Sequence, residues 1–118
     1  MEADLSHLEN EKLQLLNRLA EIMVEEQRAK GTFDEVPHYS VLEQAAHSLG
    51  QELSRTSQRR SGAEVAALIG TMATCPTCER SCRVTIQMRN VASIDGPVEL
   101  PEAVARCPEC RRDFFPSA

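Results

Sequence analysis

Tryptophan is absent from this 118-residue chain, tyrosine occurs once, and the only phenylalanines are Phe33, Phe114 and Phe115. With so few aromatics to fill space, a core is expected to rely on Leu, Val, Ile and Ala. No apolar run is long enough to span a bilayer. A secretory leader is missing as well, because Glu2, Asp4 and Glu9 stand where a basic and then apolar stretch is needed. The expected location is therefore cytoplasmic. There is no Gly-rich phosphate loop, no Ser or Cys with a His at suggestive spacing, and no acidic pair set apart for metal-assisted hydrolysis. Enzymatic activity and a small-molecule substrate are not expected. Positive charge is also short: the formal net charge is −5, with 12 acids and 7 bases in residues 1–74 and 6 of each in residues 75–118. That balance excludes nucleic-acid binding by bulk charge and leaves room only for a local patch.

Five cysteines are present, an odd number that suits a disulfide framework poorly. Cytosolic thiols stay reduced, which favours metal binding. The cysteines form two pairs with proline inside each: Cys75-Pro76-Thr77-Cys78 and Cys107-Pro108-Glu109-Cys110. A two-residue spacer lets a tight turn aim both sulfurs at one ion, and four soft thiolates suit the tetrahedral shell of structural zinc. The 28 residues between Cys78 and Cys107 exceed the commonest zinc spacers but fit a hairpin or meander between two knuckles. One structural Zn2+ held by Cys75, Cys78, Cys107 and Cys110 is the expectation. Four thiolates and one Zn2+ would bring the chain to about −7. Many such knuckles carry Gly after the second Cys, where positive φ is useful; here Glu79 and Arg111 stand there. Cys82 reads as a small residue at the start of a strand rather than a fifth ligand. His7, His38 and His47 lie far in sequence from the cysteines and read as surface or half-buried.

The fold class this predicts is α+β, with N-terminal helices (a helical hairpin or a short coiled coil) followed by a small antiparallel zinc ribbon. Residues 1–72 form the helical region, with helices over about 3–30, 41–59 and 62–70, and residues 73–118 form the ribbon. In the first helix Leu5, Leu8, Leu15, Leu19 and Ile22 recur at alternating steps of three and four, with Lys12 interrupting the seam. Leu16 and Met23 widen the stripe, and Gly31 supplies a stop. The helix either packs on its own chain or pairs between chains, as a homodimer through residues 5–23. Ser40-Val41-Leu42-Glu43 matches a capping box for the second helix, and Ser61-Gly62-Ala63-Glu64 matches another for the third. These two helices are alternatively one bent helix. Past Thr74, Val84, Ile86 and Met88 alternate with polar residues as a half-buried strand, which Val91 to Ile94 continue or replace with a second. Asp95-Gly96 marks a turn, and Pro101 should break pairing or sit at an edge. Phe114 and Phe115 are placed to cover the metal cluster.

Arg80, Arg83, Arg106, Arg111 and Arg112 gather around the knuckles. One reading is that they neutralise the net charge of a thiolate site; the other is contact with DNA or RNA phosphates. Glu79, Glu109 and Asp113 are interleaved among them, which favours the first. Arg55, Arg59 and Arg60 form a second basic spot with the same two readings.

The string Ala105-Arg106-Cys107-Pro108-Glu109-Cys110-Arg111-Arg112-Asp113-Phe114-Phe115-Pro116, with Cys75-Pro76-Thr77-Cys78 and Ala45-Ala46-His47-Ser48-Leu49-Gly50, resembles the N-terminal region of certain bacterial, planctomycete-like insertion-sequence transposases. The similarity covers about residues 33–116. The double Cys pair is generic to zinc ribbons, and the stretch from Cys110 to Pro116 is the more particular part. In such proteins a helical and zinc-ribbon leader precedes a nuclease-like domain bearing acidic catalytic residues, and this chain stops where that domain would begin. The resemblance thus implies a recognition or assembly module, with DNA as a possible partner and no strand-transfer activity.

Overall fold

Two helices precede four strands in the computed structural model, which describes residues 2–116: α1 (Glu2–Ala29), α2 (Tyr39–Ile69), β1 (Met72–Thr74), β2 (Ser81–Ser93), β3 (Gly96–Cys107) and β4 (Arg112–Phe114). The strands make one antiparallel sheet in the order β1-β2-β3-β4, so the class is α+β. Contacts divide the chain into two compact units, one ending at Gln44 and the other starting at Ala45. The boundary expected at residues 72–73 thus lies inside the second unit, because the C-terminal half of α2 packs on the sheet. No helix among the described residues is long and apolar enough to cross a membrane.

In the first unit, α1 ends where Gly31 dictates. Its φ of 85° is open to glycine at little cost, and the Thr32 amide donates to the Gln27 carbonyl (2.9 Å) while the Gly31 amide donates to Arg28 (3.1 Å). Those two bonds are the Schellman pattern that satisfies the last free carbonyls. The apolar stripe is only partly covered: Leu5, Leu8 and Leu15 remain 60, 57 and 60 % exposed, while Leu19, Ile22 and Met23 are half-buried. The second helix does not start at a Ser40 box. His38 takes the cap position, its Nδ1 accepting from the Ser40 amide at 3.1 Å while the Ser40 hydroxyl lies 2.8 Å from the same ring nitrogen. With one orphan amide already met by the ring, the helix begins at Tyr39.

α2 then runs unbroken for 31 residues, so of the two expectations, separate helices over 41–59 and 62–70 or a single helix, the structure has the single helix. Ser61-Gly62 passes through helically because Gly62 is a point of close approach. A Cβ there would meet Leu100 Cδ2 at 3.3 Å and Pro101 Cδ at 3.6 Å. Tertiary packing thus overrides a weak local start signal. A polar cluster binds the same half of α2 to the tip of the β2–β3 hairpin. The Ser54 hydroxyl donates to Asp95 Oδ2 (2.6 Å), Arg55 donates to the Asp95 carbonyl (2.8 Å), and Gln58 reaches Ser93 Oγ (3.4 Å). Arg55 is therefore a structural clasp and not part of a free basic spot.

The β2–β3 ladder is continuous from Val84↔Ala105 to Ser93↔Gly96, so Val91 to Ser93 extend β2 and start no new strand. The hairpin turns on Ile94-Asp95, one residue earlier than Asp95-Gly96, and Gly96 opens β3 at φ 105°. Pro101 does not break pairing: it sits opposite Met88, at a stretch of β3 whose other side has no strand, since β4 pairs only with Ala105–Cys107. β1 likewise pairs only with Ser81–Arg83, which leaves the rest of β2 an outer strand. Ile86 and Met88 are each 54 % exposed, their face of β2 being uncovered there, and only Val84 of that alternation is half-buried as expected.

The buried residues are Ala66, Cys75, Cys82, Val98, Ala103, Val104, Ala105 and Cys107. Leucine and isoleucine, expected in the core, are missing from this set among the described residues; small side chains and thiols fill it instead.

Candidate metal centre

Because β2 and β3 are antiparallel neighbours, the start of one and the end of the other meet at the same end of the sheet. Each carries a short outer strand there, β1 beside β2 and β4 beside β3. The loop closing each short hairpin is a Cys-x-x-Cys knuckle. In the first, the Cys75 amide donates to the Arg80 carbonyl (2.8 Å) and the Glu79 amide to the Cys75 carbonyl (3.0 Å). In the second, the Arg111 amide donates to the Cys107 carbonyl (2.8 Å), and the Cys110 amide points at Cys107 Sγ (3.4 Å). Glu79 and Arg111 both adopt left-handed backbone, φ 63° and 54°. The position where glycine is common in such turns needs positive φ here too, and non-glycine residues supply it.

These turns bring Cys75, Cys78, Cys107 and Cys110 together, with all four Sγ atoms within 4.8 Å of one another. Cys75 Sγ lies 3.9 Å from Cys110 Sγ, and Cys78 Sγ lies 3.5 Å from Cys107 Sγ. A disulfide needs about 2.0 Å. A tetrahedral shell with metal–sulfur bonds of about 2.3 Å spaces its sulfurs by about 3.8 Å. The two measured spacings are far too long for a disulfide and close to the second value, and the cluster could hold a metal ion.

Backbone amides tune the sulfurs unequally. The Cys110 amide holds the Cys107 thiol down to about 6 against the opposing effect of burial. The Cys78 and Thr77 amides lower Cys75 in the same way. The trailing cysteines go up: Cys110 to about 12, chiefly because its thiol is bonded to Cys78. For Cys78 the Arg80 amide pulls downward, but the Cys107 contact and burial outweigh it. Each knuckle thus carries one thiol lowered by backbone amides and one that is raised.

Cys82 is buried but stands outside the group of four. Its Sγ donates to the Arg80 carbonyl at 3.4 Å, and burial raises its thiol above the ordinary value. Ala73, Val84 and Phe114 pack against the buried cysteines and Ala105. Phe115, expected to share that cover, is 65 % exposed and lies just past the end of β4. His7, His38 and His47 are all exposed, and none belongs to the cluster.

The five arginines divide. Arg80 pairs with Glu109 (3.0 Å) and Arg112 donates to Thr77 Oγ1 (2.9 Å), two links that run from one knuckle to the other. Arg106 pairs with Asp113 across the β3–β4 ladder (3.2 Å). Arg83 and Arg111 are exposed and form no ion pair among the described residues. Sequence reasoning missed the reciprocal Arg80–Glu109 and Arg112–Thr77 links. The available signal was opposite or complementary groups at equivalent places in two similar turns. No known protein family, curated protein or solved structure matches the chain.

Proposed function

We propose that the second unit is a non-enzymatic zinc ribbon, a recognition or assembly module of the transposase-leader kind, working in a reducing, cytoplasmic setting. The observation that carries this reading is the four-sulfur cluster where the two knuckles meet. Zinc is the natural occupant of four thiolates in tetrahedral array. With all four positions filled by protein, the ion has no place for a substrate, so its role is structural. DNA is the proposed partner. The resemblance of residues 105–116 to transposase leaders supports it, and Arg83 and Arg111 are the two of the five knuckle arginines that make no side-chain hydrogen bond or ion pair among the described residues. Metal analysis of reduced protein should give one zinc per chain, and duplex DNA binding should fall steeply with salt. The slope should flatten in the Arg83→Gln, Arg111→Gln double variant, whereas no binding at low salt removes the nucleic-acid half of the proposal.

A second reading, a protein–protein adaptor that self-associates through α1 around a purely structural zinc, is favoured by the exposure of Leu5, Leu8 and Leu15. A dimer by light scattering, without DNA binding, would select it.

A further inference from the structure

We propose that α1 pairs with α1 of a second copy of this chain in antiparallel orientation, in a register that sets Leu5 opposite Ile22, Leu8 opposite Leu19 and Lys12 opposite Leu15. The proposal rests on the adaptor reading and adds to it the orientation and the residues that enforce it. Steps of three and four from Leu5 through Leu8, Lys12, Leu15 and Leu19 to Ile22 form a heptad seam. Leu5, Leu8 and Leu15 on that seam are more than half exposed, and Leu19 and Ile22 are half-buried.

Orientation follows from the one polar member. In a parallel pair each seam residue meets its own copy, so Lys12 faces Lys12 and two like charges share a desolvated layer. In an antiparallel pair first-position residues face fourth-position residues. Lys12 then lies over Leu15, its methylene stem on the leucine and its ammonium in water. One register aligns all three layers at once and, by two-fold symmetry, repeats them.

The flanks agree. Glu11 and Arg18 occupy the same heptad place, each directly before a seam residue. Antiparallel pairing brings these flanks side by side, so Glu11 meets Arg18 of the second copy, twice per dimer. Parallel pairing would set Glu11 against Leu16 and Arg18 against Met23, with no ionic partner. Both side chains are accessible, 53 % and 56 % exposed, and the ties that Arg18 makes to Glu21 (3.2 Å) and Glu25 (3.6 Å) are themselves on the surface.

The test uses the full zinc-loaded chain in sedimentation equilibrium at low salt, with circular dichroism to check helix content. Glu11→Lys and Arg18→Glu should each weaken self-association about tenfold, since each turns two attractive contacts into two repulsive ones. Mixing the two variants should restore native-like association, because the heterodimer regains opposite charges at both contacts. Unchanged association in the single variants, or failure of the mixture to recover, overturns the antiparallel register while the adaptor reading stands. A native chain that stays monomeric up to about 1 mM overturns both.

Discussion

Glu79 and Arg111 carry side chains through backbone that only glycine adopts at little cost, and both do so directly after the second cysteine of a knuckle. Glu79→Gly should therefore raise the unfolding free energy of the zinc-loaded chain by about 1 kcal/mol, read from urea denaturation. A drop in stability would show that the Glu79 side chain contributes more than its backbone costs. The fifth cysteine separates from the four in the same way. Cys82→Ala should retain a full equivalent of metal and lose only about 1 kcal/mol for a small buried void. Cys75→Ser should lose the metal and with it the folded sheet, both visible by metal analysis and circular dichroism. At this scale the chemistry was legible: the cysteine spacing named the four sulfurs, and the residues after each pair named the strained positions. The His38 cap was not legible. Imidazole is outside the usual capping set, and Ser40 with Glu43 made a stronger local pattern two residues on.

Among the elements, α2 carries the sharpest contrast between neighbouring glycines. Gly50 has no other atom within 4 Å of where a Cβ would stand, so only helix propensity is at stake. Gly50→Ala should stabilise the chain by about 1 kcal/mol, measured as a raised urea midpoint with unchanged slope. The clasp between α2 and the hairpin tip acts in the other direction. Ser54→Ala leaves Asp95 Oδ2 without its donor and should cost about 1–2 kcal/mol by the same measurement. The strands show why part of the fold could be read and part could not. Alternation through Val84, Ile86 and Met88 located β2, since period two is local. Whether that face would be covered depends on where α2 lies, which is a long-range matter. The same holds for Gly62: a helix break is the local reading, and contact with Leu100 and Pro101 reverses it.

For the whole molecule, the zinc reading ties the stability of the second unit to its sulfur cluster. Two of the buried residues, Cys75 and Cys107, belong to the four-sulfur cluster, and the others are alanines, valines and Cys82. Apolar burial on this scale is small for an independent fold, whereas structural zinc adds roughly 10–16 kcal/mol of apparent binding energy. Chelation at neutral pH should abolish the dispersed amide resonances of the sheet, and stoichiometric zinc should restore them. A sheet that persists without metal would refute this account. The two-unit division at residues 44–45 had no signal in composition, because it falls inside α2, six residues from its start.

The scarcity of bulky side chains around the cysteines also fixes what happens when metal runs short. A protein with a large oily interior can wait, collapsed and intact, for its ion to return. This one has little to collapse around, so on the zinc reading its depleted form should be open chain and ready fodder for proteases. Its abundance in a cell should accordingly track the supply of zinc, with the half-life after synthesis shortening as the ion is withheld.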